Sequence, residues 1–209
     1  MNMSPYLVPA TPVVWEQEIK KSRFIAYLAH TPDLESARAF IGAVRVQEPS
    51  AGHHCWAFVA GMPTDSRVLG FSDDGEPSGT AGKPMLAQLQ GAGIGEITAV
   101  IARYFGGIKL GTGGLVRAYG GTLASALTQL KTVERRIMAS LSVSAAYGDM
   151  ALLEFLLGEY QGQWLQVDYG AAVTGVLSVE ARAIPEFCRQ LLDRSQGRVV
   201  ARPVKPEAG

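Results

Sequence analysis

The chain has 209 residues, 47% hydrophobic and 18% charged, with 19 basic and 19 acidic side chains and a formal net charge of zero. That composition supplies a sizeable core for one large domain or two small ones and argues against disorder. Zero net charge argues against bulk, sequence-blind nucleic-acid binding and leaves room only for a local basic patch.

The opening MNMSPYLVPATP lacks the basic region and apolar run of a signal peptide, and no apolar run approaches the ~20 residues of a membrane helix. VVWEQEIK and RFIAYLAHT read as strands flanking a turn at Lys21–Ser22. A helix is expected from Asp33 to Gln47, with Leu34, Ala37, Ile41 and Val44 inward. HHCWAFVA and VLGFS are further strands. Lys83 and Pro84 open a helix, and GEITAVIARYF is an almost continuous apolar run, typical of a strand buried on both faces. LVRAYGGTLASALTQL carries an unbroken helical stripe from Leu115 to Leu130.

The pattern breaks at TVERR, Thr132 to Arg136, which places a boundary between domains at 1–133 and 134–209. Beyond it a strand (Leu141, Val143 and Ala145 on one face) precedes a helix capped by Asp149. Two strands around Gly170, a second helix with Phe187 and Leu191 inward, and the strand RVVARPV complete a βαββαβ order, the ferredoxin-like arrangement. The fold class is α+β. The tail after Val204 is expected to fray. Two distant cysteines, Cys55 and Cys188, and no Cys-x-x-Cys point to a reducing, cytoplasmic setting.

Three segments carry candidate chemistry. RYFGGIKLGTGGLVRAYGG, Arg103 to Gly121, holds seven glycines, three cations and no acid. Gly111, Gly113 and Gly114 fall at a helix start, whose free N–H groups and dipole suit an anion; Lys109 and Arg117 can reach the same group. Gly106 and Gly107 suit a turn, whereas Gly120 and Gly121 suit close packing of the helix on the sheet. The segment is neither a P-loop nor a dinucleotide fingerprint. GFSDDGEPSGTAGKPML places Asp73, Asp74 and Glu76 in a loop with Thr80 and Lys83; such acids can hold magnesium or simply form a solvated turn. In HHCWAF, a strand puts His53 and Cys55 on one face and His54 on the other, near a cleft; neither zinc nor cysteine catalysis finds a partner cluster.

The acidic loop, followed by GIGEITAVIARYFGGIKLGTGGLVRAYG, together with EIKKSRFIAYLAH and HHCWAFVAG, resembles the signature of the IMPACT family in its bacterial branch. The resemblance implies a first domain similar to a ribosomal-protein fold shared with the GHMP kinases, a sheet with helices on one side. It implies a second domain similar to one in elongation factor G. Asp73, Asp74, Glu76, Thr80 and Lys83 then match the family's acidic loop, and Arg103, Gly111, Gly113, Gly114 and Arg117 its glycine segment. Eukaryotic relatives add an RWD domain and act on translational control in amino-acid starvation. The serine-rich phosphate loop of the kinases is missing here, so kinase activity is analogy of fold alone.

The leading expectation is a translation- or stress-associated binding protein that meets RNA, the ribosome or translation factors through Arg103, Lys109 and Arg117. No DNA specificity is indicated. The alternative is a magnesium-dependent enzyme acting on a phosphorylated small molecule or nucleotide, with His53 or His54 as acid or base. A third is a protein-binding regulator that uses both loops as one surface. One cleft shared by the two loops favours the enzyme; a flat basic face favours RNA.

Overall fold

A computed structural model of the chain describes residues 4–204 and forms two compact units, Tyr6–Arg135 and, with Ser4 and Pro5, Arg136 onward. The expected frayed tail lies outside the described residues. In the first unit the strands are β1 (Tyr6–Pro9), β2 (Val13–Ile19), β3 (Ser22–His30), β4 (His53–Val59), β5 (Leu69–Ser72), β6 (Ile97–Tyr104) and β7 (Thr132–Arg135). The helices are α1 (Leu34–Gln47), α2 (Gly82–Ala92) and α3 (Thr112–Thr128). Strands β2-β3-β6-β4-β5 form one antiparallel sheet.

The central strand β6 is buried along nearly its whole length and mostly apolar, with Thr98 and Arg103 as its polar exceptions, because both of its faces are covered. On one face Met85 and Leu89 of α2 and Leu115, Tyr119 and Leu123 of α3 pack on Phe24, Ala57 and Ile101. On the other, Ala37, Ile41 and Val44 of α1 pack on Tyr27, Phe58 and Val100. The resemblance implied helices on one side only; α1 covers the second side because Tyr27, Phe58 and Val100 give that face an apolar patch too. Leu34, expected inward, stays 38% exposed at the end of α1.

Further local differences have physical causes. The β2–β3 turn sits at Lys20–Lys21, both at positive φ (48° and 64°), one residue before the expected position. The first four residues of TVERR, where the pattern breaks, are themselves a strand, β7, which pairs with β1 from Tyr6↔Arg135 to Pro9↔Thr132. Gly120 faces Pro84 and Gln88 of α2 at ordinary contact distance, and a Cβ on Gly121 would meet nothing within 4 Å. Neither glycine is therefore required by packing on the sheet.

The second unit has the order β8 (Met138–Ala145), α4 (Met150–Glu159), β9 (Gln163–Tyr169), β10 (Val173–Glu180), α5 (Ile184–Arg194) and β11 (Val200–Pro203). Its sheet runs β11-β8-β10-β9, the ferredoxin-like pattern. Leu141, Leu153, Leu177, Phe187 and Leu191 form its core. Asp149 does not cap α4; its carboxylate binds the Arg198 guanidinium at 2.9 Å instead, a stronger partner than a backbone N–H.

Candidate functional site

The acidic loop joins β5 to α2, and Asp73 sets its shape. One carboxylate oxygen accepts the N–H groups of Ala81 and Gly82 at 2.9 Å each, the other that of Gly79 at 2.7 Å. Burial works against ionising Asp73, but these three donors outweigh it and hold its carboxyl below the usual range. Asp73 thus satisfies the start of α2, where Ala81 has no capping side chain. Asp74, at φ 44°, precedes Gly75 at φ 86° and turns the chain back. Its carboxylate takes Arg45 and the His54 N–H, each at 2.6 Å. The Thr80 hydroxyl donates to the Pro77 carbonyl, and Lys83 lines a shallow hollow beside Gly120.

Glu76 turns inward. Its side chain is 3% exposed, and Oε1 accepts from Arg103 Nη1 at 2.6 Å and from the Tyr119 hydroxyl at 2.7 Å. The three acids therefore serve three different partners. No cluster of three or more His, Cys, Asp or Glu side chains among the described residues is placed to hold a metal, and this donor set does not fit a protein-held magnesium ion.

The glycine segment divides by geometry. At Gly106 a Cβ would lie 1.9 Å from the Lys21 carbonyl oxygen, so the β2–β3 turn requires glycine there. Gly107 and Gly111 take φ values of 87° and 73°, and Gly111 stands at the N-cap of α3. Gly113 is exposed, and a Cβ on Gly114 would come within 3.0 Å of Leu110. The first N–H groups of α3 have no partner within the helix.

The two loops meet in a cleft of about 340 Å³, lined by His53, Glu76, Pro77, Arg103, Phe105, Lys109, Leu110, Gly111, Thr112 and Leu115. His53 Nδ1 lies 2.8 Å from the Asp74 carbonyl. A carbonyl only accepts, so Nδ1 carries a proton; Nε2 faces Glu76 Oε2 at 4.0 Å and is an acceptor in the neutral ring. Cys55, on the same face of β4, is fully buried and donates to the Asp73 carbonyl; burial pushes its thiol up to about 12, which removes it as a nucleophile. His54 lies on the α1 side, with Nε2 donating to the Glu48 carbonyl.

The expected cations separate. Arg103 is 6% exposed, bound to Glu76 and set over the rings of Phe24 and Phe105; its charge is neutralised, so it leaves the set of free phosphate contacts. Lys109 stays exposed at the cleft. Arg117 lines a separate small hollow with Lys20 and Gly114, folded back over Gly113. Sequence reasoning read Phe105 as part of the buried strand, but it lies just past β6 and is 59% exposed, and it did not count Lys20 and Lys21 among the candidate cations. It also read Tyr119 only as apolar; a tyrosine on a buried stripe signals that its hydroxyl has a partner.

The Impact N-terminal domain family matches residues 20–127, and a domain of unknown function, DUF1949, matches residues 143–198. The chain is 52% identical to IMPACT family member YigZ of Escherichia coli K12 over 195 residues, covering 93% of this chain and 96% of that one. It is 51% identical over 201 residues to an IMPACT family member of Haemophilus influenzae, with 95% and 96% covered. A solved crystal structure of a protein described as hypothetical shares 50% identity and a TM-score of 0.72, over 98% of this chain and all of that one. No helix among the described residues is long and apolar enough to cross a membrane. With one family model over half its length and half-identical relatives over nearly all of it, the chain belongs to the IMPACT family.

Proposed function

We propose that this chain is a translation-associated regulatory protein of the cytoplasm that binds single-stranded RNA on the glycine-loop face of its first unit. Membership of the IMPACT family supports a regulatory, translation-associated role in general. The observation that carries the RNA reading is the exposed set Lys20, Lys21, Lys109 and Arg117, in no salt bridge among the described residues, around the α3 start and the exposed Phe105 ring. Cations and helix N–H groups take phosphates, and an exposed ring stacks a base regardless of sequence. In fractionated lysate at low salt the protein is expected with ribosomal or RNA-bearing fractions. Recovery only in the free pool, with no binding of a single-stranded oligomer, contradicts this reading.

A second reading is favoured by the cleft in which the two loops meet. There the chain is an enzyme for a phosphorylated small molecule: Lys109 and the α3 start take the phosphate, and His53 Nε2 accepts a proton. Magnesium in this reading rides on the ligand's phosphates, since the loop acids are engaged elsewhere. Thermal-shift screening with nucleotides and sugar phosphates, with and without magnesium, separates it from the first; no stabilisation by any of them contradicts it.

A further inference from the structure

With His53 neutral, the floor of the cleft presents two acceptors facing each other, His53 Nε2 and Glu76 Oε2, and the neighbouring Arg103 Nε is a buried donor with no partner among the described residues. Glu76 Oε1 is already filled by Arg103 and Tyr119, which leaves Oε2 turned toward His53. His53 Nδ1 is held by the Asp74 carbonyl, which leaves Nε2 turned toward Glu76. At 4.0 Å the two atoms are too far apart for a hydrogen bond, which leaves room for a group between them. Both acceptors border the cleft, so their donors come from a ligand or from water. Arg103 already neutralises Glu76, so the floor attracts neutral hydroxyls more than a second cation. The same cleft is lined by the exposed Phe105 ring, by Lys109 and by the Gly111–Thr112 helix start.

We infer that the floor is a subsite for the vicinal diol of a ribonucleotide, with His53 Nε2 and Glu76 Oε2 each accepting one hydroxyl. The two hydroxyls of a ribose diol stand about one hydrogen-bond length apart, so each can reach its own acceptor. The base stacks on Phe105 and the phosphate faces Lys109 and the start of α3. A volume of about 340 Å³ falls in the range of small-ligand sites. An internal nucleotide of RNA has its 3′-oxygen esterified, and a deoxynucleotide lacks the 2′-hydroxyl; neither offers both donors. The diol comes from the 3′ end of an RNA strand or from a free mononucleotide. This inference rests on the RNA reading of the same face and narrows it to a terminus or a single nucleotide.

Calorimetric titration of the full chain tests it with 5′-AMP, 2′-deoxy-5′-AMP, and one eight-nucleotide RNA ending in a free diol or a 3′-phosphate. The expected result is at least tenfold tighter binding of 5′-AMP than of the deoxy form, with His53→Ala abolishing the preference. His53 is part-exposed and leaves the Glu76–Arg103 pair intact, so this variant is expected to fold. A matching preference for the free-diol oligomer assigns the site to an RNA end; equal oligomers beside a preference for 5′-AMP assign it to the free nucleotide. Both outcomes support the subsite. Equal or absent binding of the two mononucleotides together with equal oligomers overturns it, and the RNA reading then stands or falls on whether the oligomers bind at all. A preference for 5′-AMP with neither oligomer bound overturns the RNA reading and keeps the subsite.

Discussion

Replacing Arg103 by alanine removes the guanidinium paired with Glu76. The two side chains are 8% and 3% exposed and meet at 2.6 Å. At an effective dielectric of about 20 their attraction is about 6 kcal/mol, most of it spent on desolvating the two charges. Truncating one member therefore costs more than the pair contributes, because the carboxylate is left buried beside a single Tyr119 donor. The expected loss is about 3–5 kcal/mol. Adding Glu76→Gln removes the stranded charge and should recover more than 1 kcal/mol of it. Native-state hydrogen exchange of the β6 amides reads this unit without interference from the other. If Arg103→Ala alone changes β6 protection by less than 0.5 kcal/mol-equivalent, on the order of surface substitutions, the internal role assigned to Arg103 is wrong.

Gly106→Ala drives a Cβ into the Lys21 carbonyl, which is backbone and cannot step aside; a loss of about 3 kcal/mol is expected by denaturant titration, against under 0.5 kcal/mol at the open Gly121. Asp73→Asn weakens the three N–H contacts at the start of α2 and should cost about 1–3 kcal/mol at neutral pH. Because the folded Asp73 value is depressed, that stability is fully present above the unfolded value of about 4 and is lost as pH falls through the folded one; the two proteins should converge in acid denaturation. Cys55, buried with its thiol near 12, should resist iodoacetamide at pH 8 until the chain unfolds; native labelling read by mass spectrometry would refute its burial.

What could be read from the sequence was whatever local periodicity encodes. The apolar run of β6, the α3 stripe and the βαββαβ order of the second unit all follow from spacing that one element carries alone. The β1–β7 ribbon does not: each strand has four residues, and its partner lies more than 120 positions away. The cleft was half legible. His53, Lys109 and the acidic loop stand out by residue type, and the loop's glycines mark turns. That Glu76 alone of the three acids points inward depends on Arg103 and Tyr119, which come from different elements, and no spacing announces such a meeting. Arg103 misled for the same reason: a cation in an acid-free segment reads as free until its partner arrives from another loop.

The central claim is an RNA-binding face built on the glycine segment, and salt dependence tests it most directly. Affinity for a single-stranded RNA oligomer should fall as salt rises, and Lys109→Ala and Arg117→Ala should each weaken it and flatten the logarithmic slope by ~1. No binding at low salt, or slopes unchanged by both substitutions, would contradict the account.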